Sequence, residues 1–143
     1  MLSDRPKSIL VMLYPNVPHP GLIDRVEAIE NSGRYEVHTI YWHRGASRLT
    51  HPFSSKLPAD RFHPISIPDP RGNPIRRAML SVLFAPKLRG HLRRLKPDVI
   101  MPVNVDMLGI SWMAGFPFSK TPVVYDMQDI MGERLPFYYK IFY

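Results

Sequence analysis

The sequence predicts an α/β protein with a doubly wound parallel sheet. Short apolar runs, typical of strands buried on both faces, alternate with segments whose apolar residues recur at helical spacing. The 143 residues are 45% hydrophobic and 22% charged, which is globular composition and the size of one ordinary domain. Sixteen prolines and eight glycines divide the chain into short elements and exclude a long coiled coil.

The first third of the chain predicts a βαβ unit. The apolar run 7–14 stops at a proline-rich loop and is expected to be a buried strand. Residues 21–32 carry apolar side chains at helical spacing, and Gly33 follows them as a stop signal. Residues 35–42 alternate as a strand does. Strand, helix and strand therefore follow one another within the length of one βαβ unit.

The rest of the chain continues this alternation after a long loop over 43–60. The segment 61–68 has flanking prolines, which place its predicted strand near a sheet edge. A helix is expected to begin with Asn73 as its N-cap and to run to Lys96. Pro86 interrupts that pattern, so either two helices or one kinked helix is expected. The remaining predicted elements are a strand at 98–103, a helix at 106–114 and a strand that ends near Asp126.

Several classes of protein are disfavoured by what the sequence lacks. There is no cysteine, which excludes disulfide scaffolds and thiolate chemistry and is consistent with a cytoplasmic location. No apolar run reaches the ~18 residues of a membrane-spanning helix, so a soluble or peripheral protein is expected. There is no glycine-rich phosphate loop and no G-x-S-x-G elbow. The six histidines show no metal-ligand spacing, so no metal site is expected.

Positive charge is concentrated in one segment. Residues 70–97 contain eight basic residues and no acidic residue, whereas the net charge of the whole chain is +7. The remainder of the chain is therefore close to neutral. Such a segment calls for an anionic partner or surface.

Helical angles over 75–84 separate two apolar faces. One is expected to pack on the sheet, and the other lies beside arginines and resembles an interfacial helix that contacts anionic lipid. The sheet-facing set is Ile75, Met79, Val82 and Leu83, continued after Pro86 by Leu88, Leu92 and Leu95. The expected membrane-contact residues are Arg76, Arg77, Leu80, Phe84 and Lys87. Alternatively, this helix face is solvated, and Leu80 and Phe84 are buried under the 43–60 loop or under a part of the protein that this chain lacks. Nucleic-acid binding is ranked last because aromatic residues do not interleave with the basic ones.

Polar side chains follow three of the predicted strands. In an open α/β sheet, ligands bind outside the carboxyl ends of the strands. Amides and carboxylates there suit a hydroxyl-rich ligand such as a sugar, since together they donate to and accept from each hydroxyl. The residues are Asn16, His19, Asn104, Asp106, Asp126, Gln128, Asp129 and Glu133. The alternative is purely structural, with Asn104 and Asp106 capping a helix and Asp126 and Asp129 forming turn bonds.

Two stretches of sequence resemble a known family. The N-terminal half of retaining GT-B glycosyltransferases of family 4 is similar to two consecutive stretches, PDVIMPVNVDMLGISWMAG and TPVVYDMQDIMGE. Residues 97–100 match that family's Pro-Asp-Val-Ile strand, and 122–126 match its Pro-Val-Val-Tyr-Asp strand. The opening strand–helix–strand segment is also similar. The stretch 43–96 matches only in layout.

The resemblance implies a function and roles for individual residues. It implies a Rossmann-like domain over 1–143 that forms the acceptor side of sugar transfer from a nucleotide-sugar to a sugar or lipid-linked acceptor. The implied catalytic residues are Asp129 and Gln128, with Gln128 in place of the family's usual histidine. The resemblance implies Asn104, Asp106 and Asp126 as substrate-binding residues, and Asn16 and His19 are added to this set from their position after the first strand.

The family binds its nucleotide-sugar donor in a second half that this chain does not contain, so no cofactor is expected here. The chain also ends within an aromatic, helix-like segment, and a fragment that is inactive alone is expected. Another domain or a partner chain would supply the donor half at the cytoplasmic membrane face. The alternative function is a non-catalytic membrane-docking subunit that recruits a separate donor-binding chain through residues 135–143.

Overall fold

The computed structural model describes residues 6–16, 18, 20–44, 58–68, 73–115 and 120–126. Four of the polar residues predicted at strand ends, His19, Gln128, Asp129 and Glu133, lie outside this part of the chain, as does the side chain of the predicted membrane-contact residue Arg77. So do residues 45–57 of the predicted loop and the segment 135–143.

The described residues form a parallel four-stranded sheet, which confirms the predicted Rossmann-like α/β class. The strand order is β3-β2-β1-β4, and every neighbouring pair is parallel. The proline-flanked strand β3 lies at one end of this order, as predicted. The strands are β1 (Ser8–Tyr14), β2 (Tyr35–Arg44), β3 (Phe62–Ile67) and β4 (Val99–Pro102).

The strand predicted to end near Asp126 is present only as a docked extended segment. It runs parallel to β4 through two isolated bridges, Ile100 with Val123 and Val103 with Asp126. Backbone hydrogen bonds hold it, including Val124 N–H to the carbonyl of Ile100 at 2.9 Å. This segment therefore extends the sheet beyond β4.

The described part of the chain contains three α-helices. Helix α1 (Pro20–Asn31) joins β1 to β2, α2 (Pro74–Leu95) joins β3 to β4, and α3 (Asn104–Met113) follows β4. The predicted stop after α1 is confirmed, since Gly33 has φ 73°, a conformation that glycine adopts without steric cost. The predicted cap of α2 is also confirmed, since the Asn73 side chain accepts a hydrogen bond from Arg76 N–H at 3.0 Å. Among the described residues, no helix is both long and apolar enough to cross a bilayer.

Each face of the sheet has its own core. Leu22 and Val26 of α1 pack on one face. Helices α2 and α3 cover the other, where Phe84 packs beside Trp42 with ring centroids 5.4 Å apart. Asp98, from the Pro-Asp-Val-Ile motif, joins the amino ends of β4 and β1. Its carboxylate accepts a hydrogen bond from the N–H of Ile9 at 2.7 Å. That motif residue has a structural function here.

The sequence prediction for the faces of α2 is wrong. Leu80 is 9% exposed and Phe84 is fully buried, so neither is on the surface. The exposed apolar residues are instead those expected to pack on the sheet: Ile75 (73%), Met79 (66%), Val82 (60%) and Leu83 (57%).

The reason is that α2 is one continuous helix through Pro86. Leu88 and Leu92 pack in the core, as predicted, and a continuous helix carries that stripe back to Phe84 and Leu80 at four-residue steps. The prediction allowed a break at Pro86. With such a break, the first half of the helix could have packed on the sheet through a different face from the second half.

Candidate functional site

The strand order creates a switch point between β1 and β4. The chain proceeds outward from β1 through β2 to β3, then returns through α2 to place β4 on the other side of β1. Loops leave the carboxyl ends of β1 and β4 in opposite directions at such a point, and the crevice between them is where open α/β sheets bind ligands. Asn16 follows β1 and has an exposed side chain, whereas Asn104 follows β4.

Asn104 has an unusual backbone conformation at this edge. Its φ is 69°, in the left-handed region that asparagine tolerates better than most residues. Its side-chain oxygen accepts the N–H of Met107 in a long bond of 3.4 Å within the first turn of α3, whose N-cap residue is Val103. Asn104 is therefore the first residue of α3, with a structural contact in that turn. The amide nitrogen of the same side chain is the group that it can offer to a ligand.

Asp126 lies directly beside Asn104. The N–H of Asn104 donates to the carbonyl of Asp126 at 3.1 Å, and the N–H of Asp126 donates to the carbonyl of Pro102 at 3.1 Å. The Asp126 carboxylate forms an ion pair with Arg25 of α1. This ion pair joins the segment beyond β4 to the helix on the opposite side of the switch point.

The fold therefore brings Asn16, Asn104 and Asp126 to one edge of the sheet. Asp106 lies in the first turn of α3 and is partly buried. An amide donor next to an ion-paired carboxylate can bind neighbouring hydroxyl groups, as one side of a sugar requires. Among the described residues, no group of three or more histidine and acidic side chains is arranged to hold a metal ion.

A second polar cluster, at the amino ends of β2 and β3, was missed by sequence reasoning. His38 Nε2 is 3.0 Å from Glu36 Oε1, and His38 Nδ1 is 3.0 Å from His63 Nε2. When His38 Nε2–H donates to the carboxylate, His38 Nδ1 is an acceptor, and the Nε2–H of His63 donates to it. Arg61 Nη1 lies 3.2 Å from the same Glu36 oxygen, so this carboxylate is shared between two partners.

The cluster extends from the sheet to α2. The rings of His63 and His91 have centroids 5.7 Å apart, and Arg94 Nη2 lies 3.4 Å from His91 Nδ1. Burial, together with the charges of His38, His91 and Arg94, lowers the pKa of His63 to about 4, and Asp60 acts weakly in the opposite direction. Burial and then Arg94 also lower the pKa of His91. The sequence does indicate that Glu36 and His38, two residues apart in a strand, lie on the same face of the sheet. It does not indicate which residues they contact, because those contacts depend on strand order.

Comparison with known proteins leaves the family open. No protein-family model matches this chain, and no curated protein matches its sequence significantly.

Proposed function

We propose that this chain forms the acceptor side of a GT-B glycosyltransferase that transfers a sugar from a nucleotide-sugar to a sugar or lipid-linked acceptor. The observation that carries the proposal is the pairing of Asn104 and Asp126 beside the β1/β4 switch point, at the carboxyl ends of β4 and of the segment docked on it. These are two of the residues that the family resemblance assigns to substrate. The donor would bind in a second domain or a partner chain.

The acceptor would lie over the carboxyl ends of β1 and β4. There the Asn104 amide nitrogen donates to one hydroxyl, and the Asp126 carboxylate, oriented by Arg25, accepts from another. Oriented hydrogen bonds of this kind hold a reacting hydroxyl in place and require no metal. Gln128 and Asp129 remain the proposed catalytic residues.

The test is sugar binding by wild type and by Asn104→Gly. Glycine accepts the positive φ of this position, so the variant removes the side-chain amide with little strain in the backbone. The matched control is Asn73→Gly, which removes a similar side-chain bond to a backbone N–H three residues on, at the start of α2 and away from the crevice. Saturation-transfer NMR with a panel of monosaccharide and disaccharide glycosides measures the binding.

We expect Asn104→Gly to weaken sugar binding about fivefold, since a neutral hydrogen bond contributes about 1 kcal/mol. Asn73→Gly should bind as wild type does. Equal binding by the two variants would remove Asn104 from the site. No binding of any sugar by the wild type would overturn the proposed acceptor side.

A second candidate is docking to an anionic membrane, and the exposed apolar face of α2 favours it. Ile75, Met79, Val82 and Leu83 are each more than half exposed on a helix segment that contains basic residues and no acidic one. Apolar side chains inserted among lipids, with nearby Arg76 and Lys87 attracted to anionic headgroups, are the two components of interfacial binding. Each basic residue near the surface contributes about 1 kcal/mol.

Vesicle co-sedimentation tests this candidate. We expect binding to phosphatidylglycerol vesicles at low salt, with release at high salt, and little binding to phosphatidylcholine. The double substitution Met79→Ser and Leu83→Ser should abolish it, whereas Val124→Ser, at a comparably exposed valine (48%) away from α2, should not. Undiminished binding by the double variant would rule out docking through this face.

A further inference from the structure

A groove on the α2 side of strand β3 lies apart from the switch-point crevice. It has a volume of about 330 Å³ and is bounded by the edge strand on one side and by α2 on the other. Two strands, β2 and β1, separate β3 from β4 in the sheet. The groove is lined by Pro64, Ile65, Ser66, Lys87, His91 and Arg94.

The chemistry of the groove is cationic. Lys87, His91 and Arg94 recur at intervals of four and three residues, which places them along one face of α2. The described lining residues include no aspartate or glutamate. Three nitrogen-bearing side chains therefore converge on one groove without a carboxylate among them.

Local hydrogen bonds hold these side chains in position. Lys87 Nζ donates to the carbonyl of Ser66 at 3.3 Å, which ties the ammonium group to the edge strand. Arg94 donates to His91 Nδ1 at 3.4 Å, so neutral His91 carries its hydrogen on Nε2. The groove thus presents an ammonium group, a guanidinium group and an imidazole that are oriented before any ligand arrives.

The acidic residues Glu36 and Asp60 of the adjoining histidine cluster interact with other groups. Glu36 is shared by His38 and Arg61, and Asp60 acts on His63 rather than on His91. Arg94 beside His91 opposes protonation of that imidazole. An anion in the groove would offset the charge of Arg94, because an opposite charge at close range stabilises a cation and favours protonation of a neighbouring imidazole.

We propose that this groove binds the phosphate group of a phosphate monoester. A guanidinium fork together with an ammonium point charge suits the oxygens of a phosphate dianion. The volume is at the lower end of the range for small-molecule sites, about 300–1,000 Å³, which leaves room for a small organic group beside the phosphate. The phosphate could belong to a soluble metabolite or to a lipid headgroup, and the experiment distinguishes the two. The site is independent of the proposed acceptor crevice.

The experiment is a ¹H–¹⁵N NMR titration of the 143-residue chain with inorganic phosphate and with methyl phosphate, against sodium chloride at matched ionic strength. We expect saturable shifts at Ser66, Lys87, His91 and Arg94. Arg94→Gln and Lys87→Gln should each weaken binding about threefold to tenfold, the effect of losing one charge-assisted hydrogen bond in a partly solvated groove. Arg93→Gln is the matched control, since it removes the same charge from the next, exposed residue, which does not line the groove.

The Arg94→Gln and Arg93→Gln variants also distinguish a lipid headgroup from a soluble metabolite as the source of the phosphate. Loss of binding to phosphatidic acid vesicles in Arg94→Gln but not in Arg93→Gln would identify a lipid phosphate. Unchanged vesicle binding together with weakened methyl phosphate binding would identify a soluble ligand. Shifts that do not saturate, that sodium chloride reproduces, or that Arg93→Gln reduces as much as Arg94→Gln would show a diffuse basic surface and overturn the proposal.

Discussion

His63 lies between two other histidines, and its surroundings control when it can take up a proton. His38 contacts it within the sheet, and His91 and Arg94 approach it from α2. Desolvation together with three nearby positive or protonatable groups disfavours the imidazolium, and Asp60 offsets this only in part. The neutral form of His63 is therefore the one that fits the folded state.

This environment predicts a dependence of stability on pH. The pKa of His63 is about 4 in the folded protein and near its ordinary value of 6.5 in the unfolded chain, so the unfolded chain binds more protons between these values. The contribution of neutral His63 is complete above about pH 6.5 and is lost as pH falls toward about 4. Urea unfolding, followed by tryptophan fluorescence across this range, measures the effect.

The variant His63→Gln isolates this contribution because glutamine does not titrate. Its free energy of unfolding should fall less steeply than that of wild type between about pH 6.5 and 4. Identical slopes for the two proteins would show that another group, such as His91 with its lowered pKa, carries the pH dependence.

Asn104 shows how one residue can serve two purposes. Its oxygen accepts an N–H in the first turn of α3, and its left-handed backbone turns the chain out of β4; both are structural duties. A backbone held at positive φ beside a ligand crevice also fixes the direction of the side-chain nitrogen. Both duties are therefore compatible with its proposed contact to sugar.

At the scale of the element, α2 is the most informative part of the molecule. It is a 22-residue helix with one side in the core, a second side that is basic and a third that is apolar and exposed. Its buried stripe runs unbroken past Pro86, which is itself exposed. The backbone donor that proline lacks therefore falls on the outer side of the helix.

The rotational setting of α2 predicts unequal effects at two adjacent positions. Phe84→Ala should destabilise the fold by about 3–5 kcal/mol, since Phe84 is fully buried against Trp42. Leu83→Ala should change the stability by less than about 0.5 kcal/mol, because Leu83 is 57% exposed. The free energy of unfolding in urea measures both changes.

If Phe84→Ala does not fold, a smaller substitution at the same position still allows the buried and exposed faces of α2 to be compared. Phe84→Leu removes less volume and should lower the stability by a smaller amount that remains measurable. If Leu83→Ala lowered the free energy of unfolding as much as either Phe84 variant, the assignment of the buried and exposed faces of α2 would be wrong.

At the scale of the whole molecule, the sheet order separates three surfaces. The switch-point crevice lies at the carboxyl ends of β1 and β4, the cationic groove lies beside β3, and the exposed apolar residues lie on the first half of α2. A single helix contributes to the last two. The basic residues that the structure describes on α2, Arg76, Lys87, Arg89, Arg93 and Arg94, therefore lie with that helix on one face of the sheet, where they attract anions.

Local signals in the sequence were enough to locate nearly every element. Apolar runs marked the strands, Asn73 marked the start of α2, and Gly33 marked the end of α1, because propensities and caps act between residues that are neighbours in the chain. The same signals placed Asn16, Asn104 and Asp126 at strand ends. The parallel class followed from the alternation of strands and helices.

Only the tertiary structure decided which residues meet. The Arg25–Asp126 ion pair joins residues 101 positions apart, and the contact of His38 with His63 requires β2 and β3 to be neighbours. The buried face of α2 was likewise fixed by the sheet and by the continuity of the helix, since its sequence offers two apolar faces. The sequence by itself therefore determined the elements and their alternation. Strand order and packing determined the crevice, the histidine cluster and the cationic groove, because contacts between distant segments depend on the path of the whole chain.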